Sequence, residues 1–129
     1  MNNLIPFNDL HQYLSSFDIT YTMAAKSLIL SYQPRSFAYG IQPRFAALHG
    51  AKSYQCLILY VAPKDNTSTL GIEMQRKVEE LLFFNLKEMR RFKVKNNEVV
   101  IPLEVIDTKE KLNSVKEVIA QVYRIRTKK

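Results

Sequence analysis

Residues 56–61 read CLILYV, six apolar positions in a row within the stretch SYQCLILYVA, residues 53–62. The run is far short of the roughly 20 apolar residues that span a bilayer as a helix. It also lacks the polar stripe of an amphipathic surface helix. Aromatic and β-branched side chains favour the pleated conformation. A strand apolar on both faces must be flanked by other strands, so this segment is expected mid-sheet. The polar segment Pro63–Thr69 that follows reads as a loop.

The rest of the chain is arranged around that strand. Phe7, Leu10, Leu14 and Phe17 recur at spacings of three and four, which predicts a short helix over 6–16. Ile19, Tyr21 and Met23 alternate with Thr20 and Thr22, so strands are expected over 19–23 and 27–33, with a bulge near Ala24-Ala25. FAYGIQ, residues 37–42, is expected as a further strand after a turn at Gln33–Ser36. PRFAALHG, residues 43–50, reads as a helical turn or a wide loop. Val78, Leu82, Leu86 and Met89 define a stripe that predicts one long helix over 70–91, with Thr69 as its N-cap. Asn96-Asn97 then reads as a hairpin turn that sets Lys95 against Glu98 and Phe92 against Ile101. After a strand over 98–106, Asp107 and Glu110 have capping-box spacing ahead of a last helix carrying Leu112, Val115, Ile119 and Val122.

That order predicts a single α+β domain over 1–129: a mainly antiparallel sheet of about five strands with two or three helices packed on one face. Residues 124–129 are expected as a frayed basic tail. MNNLIPFNDL has neither a basic leader nor a long apolar core of the signal-peptide kind, so a cytoplasmic protein with no membrane partner is expected.

Chemistry-bearing motifs are sparse. Cys56 is the one cysteine and lies inside the apolar run, which excludes an intrachain disulfide and suits a buried hydrophobe. His11 and His49 are far apart and form no metal-ligand spacing. Gly40, Gly50 and Gly71 are isolated, so no phosphate-binding glycine loop exists. Asp107-Thr108-Lys109 resembles the last motif of the PD-(D/E)xK nucleases, with Asp65 as the one upstream candidate. A helix and a hairpin strand intervene in the wrong order, and a capping role accounts for Asp107. AAKSLILS, residues 24–31, resembles the middle of a helix-turn-helix but has Ile29 where the turn needs glycine. No catalytic residue, cofactor or metal is expected, and the chain reads as non-enzymatic.

The net charge of +7 is local rather than diffuse. Lys87, Arg90, Arg91, Lys93 and Lys95 fall within nine positions against one acid, Glu88. Arg124, Arg126, Lys128 and Lys129 close the chain. Two cationic clusters on a near-neutral body suggest a polyanion-binding patch. Lys87, Arg90, Arg91, Lys93, Lys95, Arg124 and Arg126 are its candidate residues, with Phe83 as an aromatic among cations on the helix. The expected partner is nucleic acid, with RNA or a single strand favoured because no reading helix for duplex is evident. An acidic protein would use the same charges. A protein-interaction accessory of adaptor, chaperone, inhibitor or immunity type, acting as a homodimer, is the alternative, given the apolar girth of VEELLFFNLKEM. A small-molecule pocket lined by Tyr21, Tyr32, Tyr39, Tyr54 and Tyr60 is the third reading.

Overall fold

A computed structural model describes residues 4–24, 26, 28–35, 44–62 and 69–127. Helix α1 spans Leu4–Ser15. Strands β1 (Ile19–Ala24), β2 (Ile29–Pro34), β3 (Ala46–His49) and β4 (Cys56–Tyr60) follow, then α2 (Leu70–Leu82), β5 (Glu98–Pro102) and α3 (Lys109–Thr127). The strands form one sheet in the order β1-β2-β3-β4-β5, each neighbour antiparallel. This is the expected single-sheet α+β arrangement. CLILY lies between β3 and β5, and all five of its residues are buried.

Alternation along the strands divides the sheet into two faces. Tyr21, Tyr32, Ala46, Leu59 and Val99 lie in one cross-strand row, and Met23, Leu30, Leu48, Leu57 and Ile101 in the next. On this face lie Leu10 and Leu14 of α1, Met74, Val78 and Leu82 of α2, and Val115, Ile119 and Val122 of α3, all in one core. The opposite face carries the row Thr22, Ser31, Ala47, Ile58 and Val100. Among the described residues, its β3–β5 half is the part covered, by Leu86, Met89 and Phe92.

That second cluster corrects the long helix. The helix ends at Leu82, because Phe83 turns left-handed (φ 58°) and donates its N–H to Glu79 O. Phe84 N–H also donates to Glu79 O (3.2 Å), and a single 3₁₀ turn follows at Leu86–Glu88. The spacing 82, 86, 89 and 92 mimics a helical stripe. In space, Leu82 serves the helix-side core, while Leu86, Met89 and Phe92 cross to the other face. The predicted hairpin strand over 92–95 is likewise absent. The outer backbone of β5 is already occupied: Gln75 Nε2 donates to Val100 O (2.9 Å), and Val100 N–H donates to Gln75 Oε1 (2.6 Å). Lys95 still pairs with Glu98, at 3.7 Å.

Smaller differences have local causes. The expected bulge at Ala24 is instead the end of β1 in a hairpin, with Ala24 opposite Ile29. Residues 46–49 form a strand rather than a helical turn, because pairing on both sides overrides the weak strand preference of alanine. Strand 98–106 stops at Pro102 and gives way to a 3₁₀ turn at Leu103–Val105. The cap of α3 is Thr108, whose Oγ1 accepts from Lys111 N–H (3.1 Å), while Asp107 pairs with Lys111 at 2.9 Å. Thr69 makes no side-chain cap bond. Helix α3 continues to Thr127, so residues 124–127 are helical rather than a tail. The expected strand over 37–42, the nuclease-like Asp65 and Lys128-Lys129 lie outside the described residues.

Candidate functional site

The open face of the sheet holds a basin of about 390 Å³. Its floor follows from the alternation of SYQCLILYV. Tyr54, Ile58 and Tyr60 point to this face, and Val100 and Glu98 join them from β5. One wall is the segment after α2, which brings Arg91, Lys93 and Lys95 over the sheet because Phe92 is anchored in the second core. Arg44, at the entry to β3, forms the facing wall, and His49 closes the end.

Four cations thus face one carboxylate across the basin. Arg91 is tied by an ion pair to Glu104, and Lys95 is shared with Glu98. Arg44 lies over the Tyr60 ring, 4.5 Å from its centroid. Among the described residues, neither Arg44 nor Lys93 has a carboxylate partner. The aromatic floor is rigid: Tyr54 meets His49 edge-on at 5.2 Å and Phe92 at 5.0 Å between ring centroids. Burial, with Arg44 nearby, holds the His49 pKa below the ordinary imidazole value, so the ring is neutral at pH 7. Burial pushes the Tyr54 and Tyr60 phenols up, and the Cys56 thiol beneath them to about 12. The floor therefore offers neutral hydroxyls and rings, and the walls offer fixed positive charge. Among the described residues that line the basin, no nucleophile is hydrogen-bonded to a base.

Arg44 borders a second concavity of about 270 Å³ on the β1–β2 half of the same region, with Thr20, Thr22, Ser31 and Gln33 in its lining. The two hollows share Arg44 as a lining residue. Tyr54 and Tyr60 line the basin and Tyr21 and Tyr32 the second hollow, while Tyr39 lies outside the described residues.

The residues singled out in the sequence do not all converge. Arg91, Lys93 and Lys95 line the basin. Lys87 lines a different hollow beside α2, where Glu79 and Glu80 oppose it. Arg90 is exposed off the basin, and Arg124 is exposed on α3. Phe83 is 84% exposed, with Lys111 Nζ 5.8 Å from its ring centroid. Arg126 is fully buried. Its Nη1 donates to Arg44 O (3.0 Å) and Tyr60 O (2.5 Å). Burial lowers its pKa to about 10, which leaves it charged at neutral pH. Arg126 thus reaches the site from beneath as a brace on two of its residues.

Arg44 and His49 are absent from the binding residues read from the sequence, and Tyr54 and Tyr60 entered there only as lining of a small-molecule pocket. Period-two alternation places Tyr54 and Tyr60 on one face, but nothing local says which cations cross that face. Among the described residues, no three His, Cys, Asp or Glu side chains gather as a metal site, and no helix is long and apolar enough to cross a membrane. Comparison with protein families, curated proteins and solved structures finds no match to the chain.

Proposed function

We propose that the protein is a non-enzymatic binding module that takes the phosphodiester backbone of single-stranded nucleic acid into the basin on its open sheet face. The observation that carries this reading is the pairing of Arg44 and Lys93 on opposite walls, both without a carboxylate partner among the described residues, above a floor of neutral tyrosines. Lys95 adds a third, partly shared charge. A concave basin suits a flexible strand whose phosphates can be drawn in one at a time, and the hydroxyl-rich second hollow beside Arg44 offers it a further track. The floor rings are largely buried, so phosphate contacts rather than base stacking supply the affinity, and sequence preference is weak.

Fluorescence anisotropy with a labelled RNA strand, the matching DNA strand and their duplexes tests this. Single strands bind in a salt-dependent manner, and Arg44→Glu with Lys93→Glu abolishes binding while Arg90→Glu does not. Absence of binding to every strand, or binding indifferent to salt, overturns the reading. Binding confined to an acidic peptide assigns the basin to an acidic protein instead.

A further inference from the structure

The two edges of the sheet are treated oppositely. At β5, Gln75 occupies both outer backbone groups of Val100, Pro102 lacks an N–H, and α2 is pressed so close that Gly71 N–H donates to Asn96 O at 3.0 Å. Among the described residues nothing comparable closes β1. ITYTMA has no charge, proline or glycine, and every residue after Ile19 is exposed. Tyr21 and Met23 are 50% and 62% exposed. Folded proteins blunt an open edge of this kind with charge, proline or a bulge, or they pair it.

Hydrogen-bond parity identifies the free groups. Arg35 N–H donates to Asp18 O, so the bonded pairs of the β1–β2 ladder are those in step with Asp18–Arg35: Thr20–Gln33 and Thr22–Ser31. The backbones of Tyr21 and Met23 therefore face outward. Ile19 N–H is already taken by Phe17 O, at 2.9 Å.

We infer that β1 pairs antiparallel with β1 of a second copy of this chain about a two-fold axis through Thr22, setting Tyr21 of each copy opposite Met23 of the other. This goes beyond the nucleic-acid reading and does not depend on it. A two-fold axis normal to the sheet keeps each side chain on its own face, which requires opposite residues of like parity. Among such registers, this one gives both outward residues a partner and leaves Ile19 N–H undisturbed. It also turns Asp18 of one copy, paired in its own chain with Arg35 at 3.1 Å, toward the turn carrying Lys26 that follows β1 of the other, a charge match that a parallel arrangement lacks. The closed β5 edge removes the head-to-tail alternative, so association stops at two rather than running on as a filament. The resulting sheet carries both basins on one face.

Light scattering on the eluting protein, across a concentration series and without nucleic acid, reads the state directly. The expected mass is twice that of one chain at the top of the series. Met23→Lys, which puts a charge on the exposed edge, and Met23→Pro, which removes an outward N–H that β2 does not use, both give a single-chain mass. Hydrogen exchange on the unaltered protein shows Tyr21 and Met23 amides protected only at concentrations where the dimer forms. A single-chain mass throughout, a dimer that survives both substitutions, or Tyr21 and Met23 amides that stay unprotected in the dimer overturns the inference.

Discussion

Replacing Gln75 by glutamate tests how the β5 edge is closed. The side chain is 2% exposed, and its amide both donates to and accepts from one residue, Val100. A carboxylate of the same shape can accept from Val100 N–H, but its second oxygen then faces Val100 O with no proton between them. The acid form restores the missing donor. The folded protein therefore holds the proton more tightly than the unfolded chain, whose glutamate titrates near pH 4.3. Burial and the opposed carbonyl raise the folded value by at least about two units, and each unit is worth about 1.4 kcal/mol. The cost of Gln75→Glu is thus absent below about pH 4.3, grows as pH rises, and reaches about 3 kcal/mol above the folded pKa. Gln75→Ala leaves both Val100 groups unpaired and costs about 3 kcal/mol at every pH. Urea unfolding of the two variants and the unaltered protein between about pH 4 and pH 7 separates these shapes. A Gln75→Glu penalty that is flat with pH, or both variants within about 0.5 kcal/mol of the parent, refutes the reasoning.

Gly71→Ala in a helix ordinarily stabilises by about 0.5–1 kcal/mol. Here the added Cβ meets Asn96 O at 2.5 Å and Glu98 N at 2.7 Å, so the substitution instead costs about 1–3 kcal/mol in thermal or urea unfolding. With Arg44, Lys93 and Lys95 each meeting a phosphate, the log–log salt slope for a single strand is about −2, a loss of about twentyfold between about 50 and about 200 mM salt. Lys93→Ala lowers the slope to about −1.4 and that loss to about sevenfold, read by anisotropy. Because burial and Arg44 depress the folded His49 pKa, His49's contribution to stability is full above about pH 6.5 and falls as pH drops through the folded value. An anion in the basin favours the protonated ring, so single-strand affinity rises over that same descent. His49→Gln removes both trends.

Legibility in the sequence divides along the range of the forces involved. CLILYV announced an interior strand because its apolar continuity is a local property, and Leu112, Val115, Ile119 and Val122 announced α3 for the same reason. The stretch after Leu82 misled because Leu86, Met89 and Phe92 keep helical spacing while serving a different face of the sheet. Its end is set by the left-handed turn at Phe83, a residue type that carries no stop signal. The hairpin at Asn96-Asn97 failed for a tertiary reason, since Gln75, more than twenty positions earlier, holds the backbone a hairpin partner would need. The site shows the same division. Lys93 and Lys95 stood out by local density, whereas Arg44 is a lone cation in its segment and enters only because β3 pairs with β4. Arg126 belonged to a basic cluster by sequence, yet its guanidinium is spent on the carbonyls of Arg44 and Tyr60.

The proposed role of the open sheet face is to bind a single strand. Titrating an amide-resolved NMR spectrum with a short unlabelled RNA strand tests it most directly. The expected shifts gather on Arg44, His49, Tyr54, Lys93 and Lys95, with smaller ones on Thr20, Thr22, Ser31 and Gln33, all weakening as salt rises. Shifts gathered on Phe83, Lys87, Arg90 and Arg124 instead, or none at all, contradict it.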